Sequence, residues 1–345
     1  MSEILKQVVG MDVSQNELVV SLGRMTRSLD PEIYAFKTFA NKSSGFAALE
    51  AWVNKNTDQQ VPVRFVMEAT GVYHEKLAYY LSEQNREVSI VLPNKICNFA
   101  KTLEIKTVTD KTASQAICRF GLGKKLDIWQ PPKKIFRDIK QLARERDQII
   151  AERTVSKNQL HAENAEAFPN KRSITRLNER IQLFNRQEKE IRYEIAEIIQ
   201  QDDELVERIK NVTTIPGVAK LTAVIVLAET NAFNLITGRK QASSYAGFDI
   251  VEKQSGTSVK GKPKMSKRGN RHLRKAMHMP ALAAIRHDER FKAIFVRLVS
   301  KHGIKMKAAV AVQRKLLELI YTVWTTNTKY DPNYLQNMIE NDKAA

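Results

Sequence analysis

The sequence predicts an α/β amino-terminal domain on a mixed sheet, then a long helical connector, then a mostly helical carboxy-terminal domain. Three observations carry this. Short β-rich runs alternate with helical stretches over the first 120 residues, long charged helices run from about Phe136 to Lys210, and a strongly apolar helix with a basic loop follows TTIPG. The boundaries read as 1–130, 131–208 and 209–326, with a polar peripheral tail at 327–345.

In order, QVVGMDV and LVVSLG are short strands separated by the polar turn SQNE, and YAFKTFA is a third before the break NKSSG. FAALEAWVNK has helical spacing, VPVRFVME reads as a buried strand, YHEKLAYYLSEQN as a helix and REVSIVL as another strand. In the connector, Ile135, Ile139, Leu142, Ile149 and Ile150 recur at helical intervals. After the break at Pro169 and Asn170, Ile174, Leu177, Ile181, Phe184, Ile191 and Ile195 repeat the pattern. Such heptad-like spacing with charged flanks predicts an antiparallel hairpin or coiled coil used for self-association, with a long helix pair packed only against its own domain as the alternative. Pro216 and Gly217 make a tight turn ahead of KLTAVIVLAE, an arrangement that either offers backbone N–H groups to a phosphate or is an ordinary turn.

Charge narrows the function. The chain of 345 residues has 56 Lys or Arg and 38 Asp or Glu, for a net of +18. Residues 251–345 hold 20 of the basic and 7 of the acidic residues, a net of +13. Charge so concentrated points to a polyanion, by default DNA or RNA. Lys260, Lys262, Lys264, Lys267, Arg268, Arg271, Arg274 and Lys275 form the candidate nucleic-acid-binding segment. No apolar run is long enough to span a bilayer, and the first residues lack a secretory pattern, so a cytoplasmic protein without a membrane partner is expected. Two cysteines, Cys97 and Cys118, supply neither a disulfide framework nor a thiolate zinc site. Only 13 glycines argue against a fold built on glycine-rich phosphate loops, and with the basic end they count against an actin-like ATPase. The six histidines are scattered, and neither His74 nor Tyr73 is assigned a catalytic role.

Asp12 closes the first apolar run, Glu68 closes another, and Asp110 opens the helix that starts in TDKTASQAICRF. If those two strands are neighbours, their terminal acids meet at one sheet edge and Asp110 approaches from above. Three carboxylates so placed suit a divalent cation; three unrelated turn or cap acids are the competing reading.

At these residues the chain resembles the transposases of the IS110 class, including its IS1111 branch. The matching pieces are GMDVS at Asp12, MEATGVYHEKLAYYL at Glu68 and KTVTDKTAS at Asp110. They continue with IPGVAKLTAVIVLAE, SSYAG, QSG at Gln254 to Gly256, and MSKRGNRHLRKAM. The resemblance implies a RuvC-like, ribonuclease H-like first domain that holds Mg²⁺, with Mn²⁺ as the alternative ion. It also implies a fourth acid three residues after Asp110, where this chain has Ala113. Residues three apart share a helix face, so Ala113 removes a metal ligand and keeps the helix. Engineered inactivation is the first explanation, natural loss the second, and slow or absent strand cleavage the consequence.

The same resemblance makes Ser255 of QSG a nucleophile that would carry a 5′-phosphate as a phosphoserine, although serine in a polar loop is by itself an ordinary solvent residue. It further implies donor and target double-stranded DNA and an element-encoded guide RNA as partners, with a homodimer that becomes a tetramer on synapsis. The expected function is therefore a metal-dependent transposase acting through that intermediate. The alternatives are a RuvC-like junction-resolving nuclease that uses water, and an inactive nucleic-acid-binding protein.

Overall fold

The computed structural model describes residues 3–333 except 70, 104–106, 108, 253, 256–258 and 262. The chain divides into two compact units, Met1–Pro131 and Pro132–Ala345.

The first unit is a five-stranded sheet with helices. Its elements are β1 (Ile4–Val13), β2 (Glu17–Thr26), β3 (Pro31–Ala40), α1 (Ser43–Asn56), β4 (Val63–Glu68), α2 (Glu75–Glu83), β5 (Glu87–Val91), α3 (Pro93–Ala100) and α4 (Asp110–Gly123). The strand order is β3-β2-β1-β4-β5. β1, β2 and β3 pair antiparallel, whereas β4 is parallel to both β1 and β5. This is the mixed sheet the sequence predicts, and it is compatible with a RuvC-like domain. Val9, Met11, Leu22, Phe65 and Met67 pack with Leu49 and Leu77 in one core, and Val8, Val66, Ile117 and Phe120 pack in a second. β1 is central and buried from Gln7 to Met11, which explains an apolar run too dense for simple alternation.

The second unit is mostly helical. It contains α5 (Lys134–Ala165), α6 (Lys171–Gln200), α7 (Asp203–Thr213), α8 (Lys220–Thr230) and α9 (Arg239–Ala246). Four two-residue strands follow, β6 (Ile250–Val251), β7 (Gln254–Ser255), β8 (Val259–Lys260) and β9 (Lys264–Met265). It ends in α10 (Arg271–Ala276), α11 (His278–His287), α12 (Glu289–His302) and α13 (Lys305–Thr326). α5 and α6 form an antiparallel pair. Arg146 bonds Glu188 at 2.7 Å, and Arg153, one heptad on, bonds Asn185 at 2.9 Å. Asn170 caps α6 by accepting from the Arg172 and Ser173 amides. At the other end of the pair, Phe136, Ile139, Ile149, Ile191, Ile195 and Ile199 share one core with α7, α8 and α13, so the helices are built into the unit.

The Pro216–Gly217 turn is structural. Gly217 has φ +82°, and a Cβ there would lie 2.4 Å from the Pro280 carbonyl oxygen and 2.8 Å from the Ala284 nitrogen. Its backbone packs on α11, so it is not offered to a phosphate. No described helix is long and apolar enough to cross a membrane.

Candidate carboxylate centre and basic segment

Three contacts set the direction of α4. Cys118 lies against Gly10, where any Cβ would fall 2.4 to 2.5 Å from Cys118 atoms, and Gly121 lies against Val8 and Val66. Lys6 Nζ donates to the carbonyls of Gly121, Leu122 and Lys124 at 2.6, 3.2 and 2.8 Å. α4 therefore runs back along β1, and its amino terminus arrives at the strand end that carries Asp12. A buried hydrogen bond of 2.8 Å between the Ser21 and Ser114 hydroxyls holds the same helix to β2.

That amino terminus is closed by a reciprocal cap. The Thr109 hydroxyl accepts from the Thr112 amide at 3.2 Å, and the Thr112 hydroxyl accepts from the Thr109 amide at 2.8 Å. Asp110 is thus fixed at the first helical position. Met11 pairs with Met67 in the parallel ladder, so Asp12 and Glu68 are neighbours at its end.

Asp12 lies within the field of the other two acids. Asp12 is raised from the ordinary 3.8 to about 6, first by burial, then by the charges of Asp110 and Glu68, against a backbone hydrogen bond from Val13 that lowers it. Ala113 follows Asp110 by three residues, its amide bonded to the Thr109 carbonyl at 2.8 Å, so the face shared with Asp110 carries a methyl group. Among the described residues no three Asp, Glu, His or Cys side chains close on a single ion position. The acids are near enough to repel, and their oxygens are not gathered into a finished ligand set. The donor set still fits a hard divalent cation in kind and in charge, because all three groups offer oxygen and one is held above its ordinary pKa by burial and then by the other two.

His74 borders this sheet end at the start of α2 and is buried, with its Nδ1 lacking a hydrogen-bond partner among the described residues. Burial lowers its pKa against the opposing effect of Glu75.

The basic segment lies in the second unit and is locked to the SSYAG turn. Gly247 has φ +74°, and a Cβ on Gly269 would lie 2.5 Å from both the Gly247 nitrogen and the Tyr245 oxygen. The Asn270 amide donates to the Tyr245 carbonyl at 2.8 Å, and the Asn270 side chain accepts from the His272 and Leu273 amides at the start of α10. Asn270 Nδ2 also donates at 2.7 Å to Glu229, whose side chain is only 1% exposed and receives two bonds from Arg144 at 2.9 and 3.0 Å. Burial alone would raise Glu229; Arg144 and Asn270 outweigh it and hold the carboxyl below its ordinary range. The sequence reading missed this network, although Glu229 is the one acid in KLTAVIVLAET.

The predicted nucleic-acid contacts divide accordingly. Lys264, Lys267, Arg268 and Arg271 are exposed and form no ion pair among the described residues. Arg274 instead donates to the Ala246 and Gly269 carbonyls at 2.7 and 3.1 Å, and Lys275 pairs with Asp147 at 2.9 Å. These two are engaged within the second unit. Lys260 belongs to β8, and Lys262 lies outside the described residues.

The expected phosphoserine route through Ser255 requires correction. Ser255 is an exposed residue of β7, paired with Val259, and its hydroxyl makes no hydrogen bond to a base among the described residues. An isolated serine hydroxyl is a poor nucleophile at neutral pH. The chemistry that the residues support is metal-and-water phosphodiester cleavage at the carboxylates, the alternative raised from the sequence.

Two families of known proteins match the chain. Residues 9–169, which include Asp12, Glu68 and Asp110, match a family described as "Transposase" (DEDD_Tnp_IS110), and residues 209–295 match "Transposase IS116/IS110/IS902 family". A pilin gene-inverting protein of Moraxella lacunata is 28% identical over 334 residues, covering 94% of this chain and 98% of the relative. Its counterpart from Moraxella bovis is 29% identical over 299 residues, covering 85% and 90%. Among solved structures, T. thermophilus RuvC in complex with Holliday junction substrate aligns over 36% of this chain and 99% of that one, at 8% identity and a TM-score of 0.27. With matches in both units and relatives aligned over nearly their whole length, the chain is, at family level, a homologue of the IS110/IS1111 transposases.

Proposed function

We propose that this protein is a DNA-rearranging transposase whose first unit cleaves phosphodiester bonds by metal-assisted hydrolysis. The observation that carries the reading is the shared field of Asp12, Glu68 and Asp110 at one sheet edge. The gene-inverting names of the relatives support a DNA substrate. Asp12, Glu68 and Asp110 would hold Mg²⁺, or Mn²⁺. Bound there, the ion supplies charge neutralisation at the phosphate and a more acidic water. The water oxygen bonds to phosphorus as the P–O3′ bond breaks, leaving a 5′-phosphate and a 3′-hydroxyl. Lys264, Lys267, Arg268 and Arg271 hold phosphates of the substrate duplex and fix its register.

Ala113 slows this chemistry, because the helix face beside Asp110 lacks the acid that the family pattern places there. An element-encoded guide RNA and a dimer that doubles on synapsis complete the reading; they rest on the family resemblance and on the long α5–α6 pair.

The test uses end-labelled DNA, Mg²⁺ and the Ala113→Asp protein on a denaturing gel. The expected result is metal-dependent cleavage at least tenfold faster than in the parent chain, no covalent protein–DNA adduct, and loss of cleavage on adding Asp12→Asn. A covalent adduct, or cleavage indifferent to Asp12, overturns the proposal.

A further inference from the structure

The second unit contains a cleft of about 730 Å³ bordered by α5, α8, α10, α11 and α13, within the range that takes a small-molecule-sized group. Its floor is apolar, made by Leu221, Ile225, Phe248, Met265 and Val310, and its lip carries Met279 and Met306, which are 68% and 59% exposed. Its walls are cationic. Arg144 and Lys275 are matched by Glu229 and Asp147, whereas Arg274 is met, among the described residues, by backbone carbonyls. Arg146 bonds Glu188 through Nη2, yet its buried Nε–H has no partner among the described residues. An apolar floor under an excess of guanidinium groups suits a ligand with a flat apolar body and an anionic attachment.

The approach to the cleft narrows the ligand class. α10 supplies its wall, and the exposed cations Lys267, Arg268 and Arg271 lead directly into α10. A nucleic-acid backbone held by those cations would pass the mouth. We infer that the cleft receives one unpaired or extruded nucleotide, its base on the Ile225–Phe248–Met265 floor and its phosphate towards Arg146 and Arg274. A base within a duplex cannot enter; a looped-out one can, at the cost of its stacking. The inference rests on the reading of the basic segment as a nucleic-acid contact, and it adds a base-dependent site that phosphate contacts alone do not provide.

The test is fluorescence anisotropy with labelled DNA and RNA hairpins, each carrying either an intact loop or the same loop with one abasic position. For the wild-type chain the abasic hairpin should bind about tenfold more weakly on at least one of the two arms, which identifies the source of the nucleotide. Thr222→Trp fills the cleft, so this ratio should fall to about one while binding of the abasic hairpin stays within about threefold. Should Thr222→Trp lose its native circular dichroism spectrum, Met279→Ala at the exposed lip should reduce the ratio by about threefold, and an unchanged ratio there rejects the site. A ratio near one for the wild type on both arms overturns the inference while leaving phosphate binding intact. Absence of any hairpin binding would instead overturn the nucleic-acid reading beneath it. A change of oligomeric mass in Thr222→Trp assigns the cleft to a second copy of the chain and also overturns the inference.

Discussion

Replacing Asp12 by Asn should stabilise the first unit at pH 8 and leave it nearly unchanged at pH 4. Asp12 is raised from 3.8 to about 6, chiefly by burial and then by Asp110 and Glu68. A shift of that size corresponds to about 3 kcal/mol at 1.36 kcal/mol per pH unit. The group is only partly buried, and solvent screening reduces the recoverable amount to about 1 to 2 kcal/mol. The sign follows from linkage. A carboxyl raised in the folded state is protonated more readily there than in the unfolded chain, so its penalty is absent below about pH 4, grows through pH 6 and is complete above it. Urea denaturation at pH 4 and pH 8, followed by a probe in the first unit, measures the difference. Mg²⁺ at pH 8 should stabilise the Asp protein more than the Asn protein, since relief of the same repulsion accompanies binding. An Asn protein less stable than its parent at pH 8, or a gain equal at both pH values, would refute the shared carboxylate field.

Gly10→Ala should destabilise the first unit by about 1 to 3 kcal/mol or more in denaturant melts, because its Cβ would meet the Cys118 backbone at 2.4 Å. Glu229→Gln should cost about 1 to 3 kcal/mol, since both Arg144 bonds lose their charged acceptor and one oxygen is replaced by an NH₂ donor; calorimetry of the second unit's transition reads this. The double change Lys267→Ala with Arg268→Ala should flatten the slope of log affinity against log salt by about 2 on duplex DNA, with little effect on melting temperature. An unchanged slope would remove both residues from the phosphate contacts.

The sheet was legible because β1, β2, β4 and β5 are apolar runs ended by polar turns, and local pattern suffices for elements of that kind. β3 begins at Pro31, three residues before the apolar part of its run, since an edge strand needs no buried side chains at its start. α3 had a signal in Pro93 at its first position, but its eight residues bury only Ile96. The acids Asp12, Glu68 and Asp110 could be named from strand and helix ends, while their convergence depends on the β1–β4 pairing and on the fit of Cys118 against Gly10, both long-range. For the same reason Arg274 and Lys275 could not be separated from the exposed cations. Their partners, Ala246 and Asp147, lie 28 and 128 residues away.

The hold of Lys6 on the carbonyls after α4 has a consequence for synthesis. Lys6 emerges from the ribosome well before its acceptors Gly121, Leu122 and Lys124, which are more than 110 residues behind it. Contacts of such separation close late, after most of the loop entropy has been spent. β1 can form its hairpin with β2 at once and pair with β4 midway, but Asp110 reaches the sheet edge only when α4 has been made and locked by Lys6. A nascent chain, or one truncated before Asp110, therefore carries Asp12 and Glu68 without their third acid, and the proposed carboxylate centre is complete only once α4 has been made.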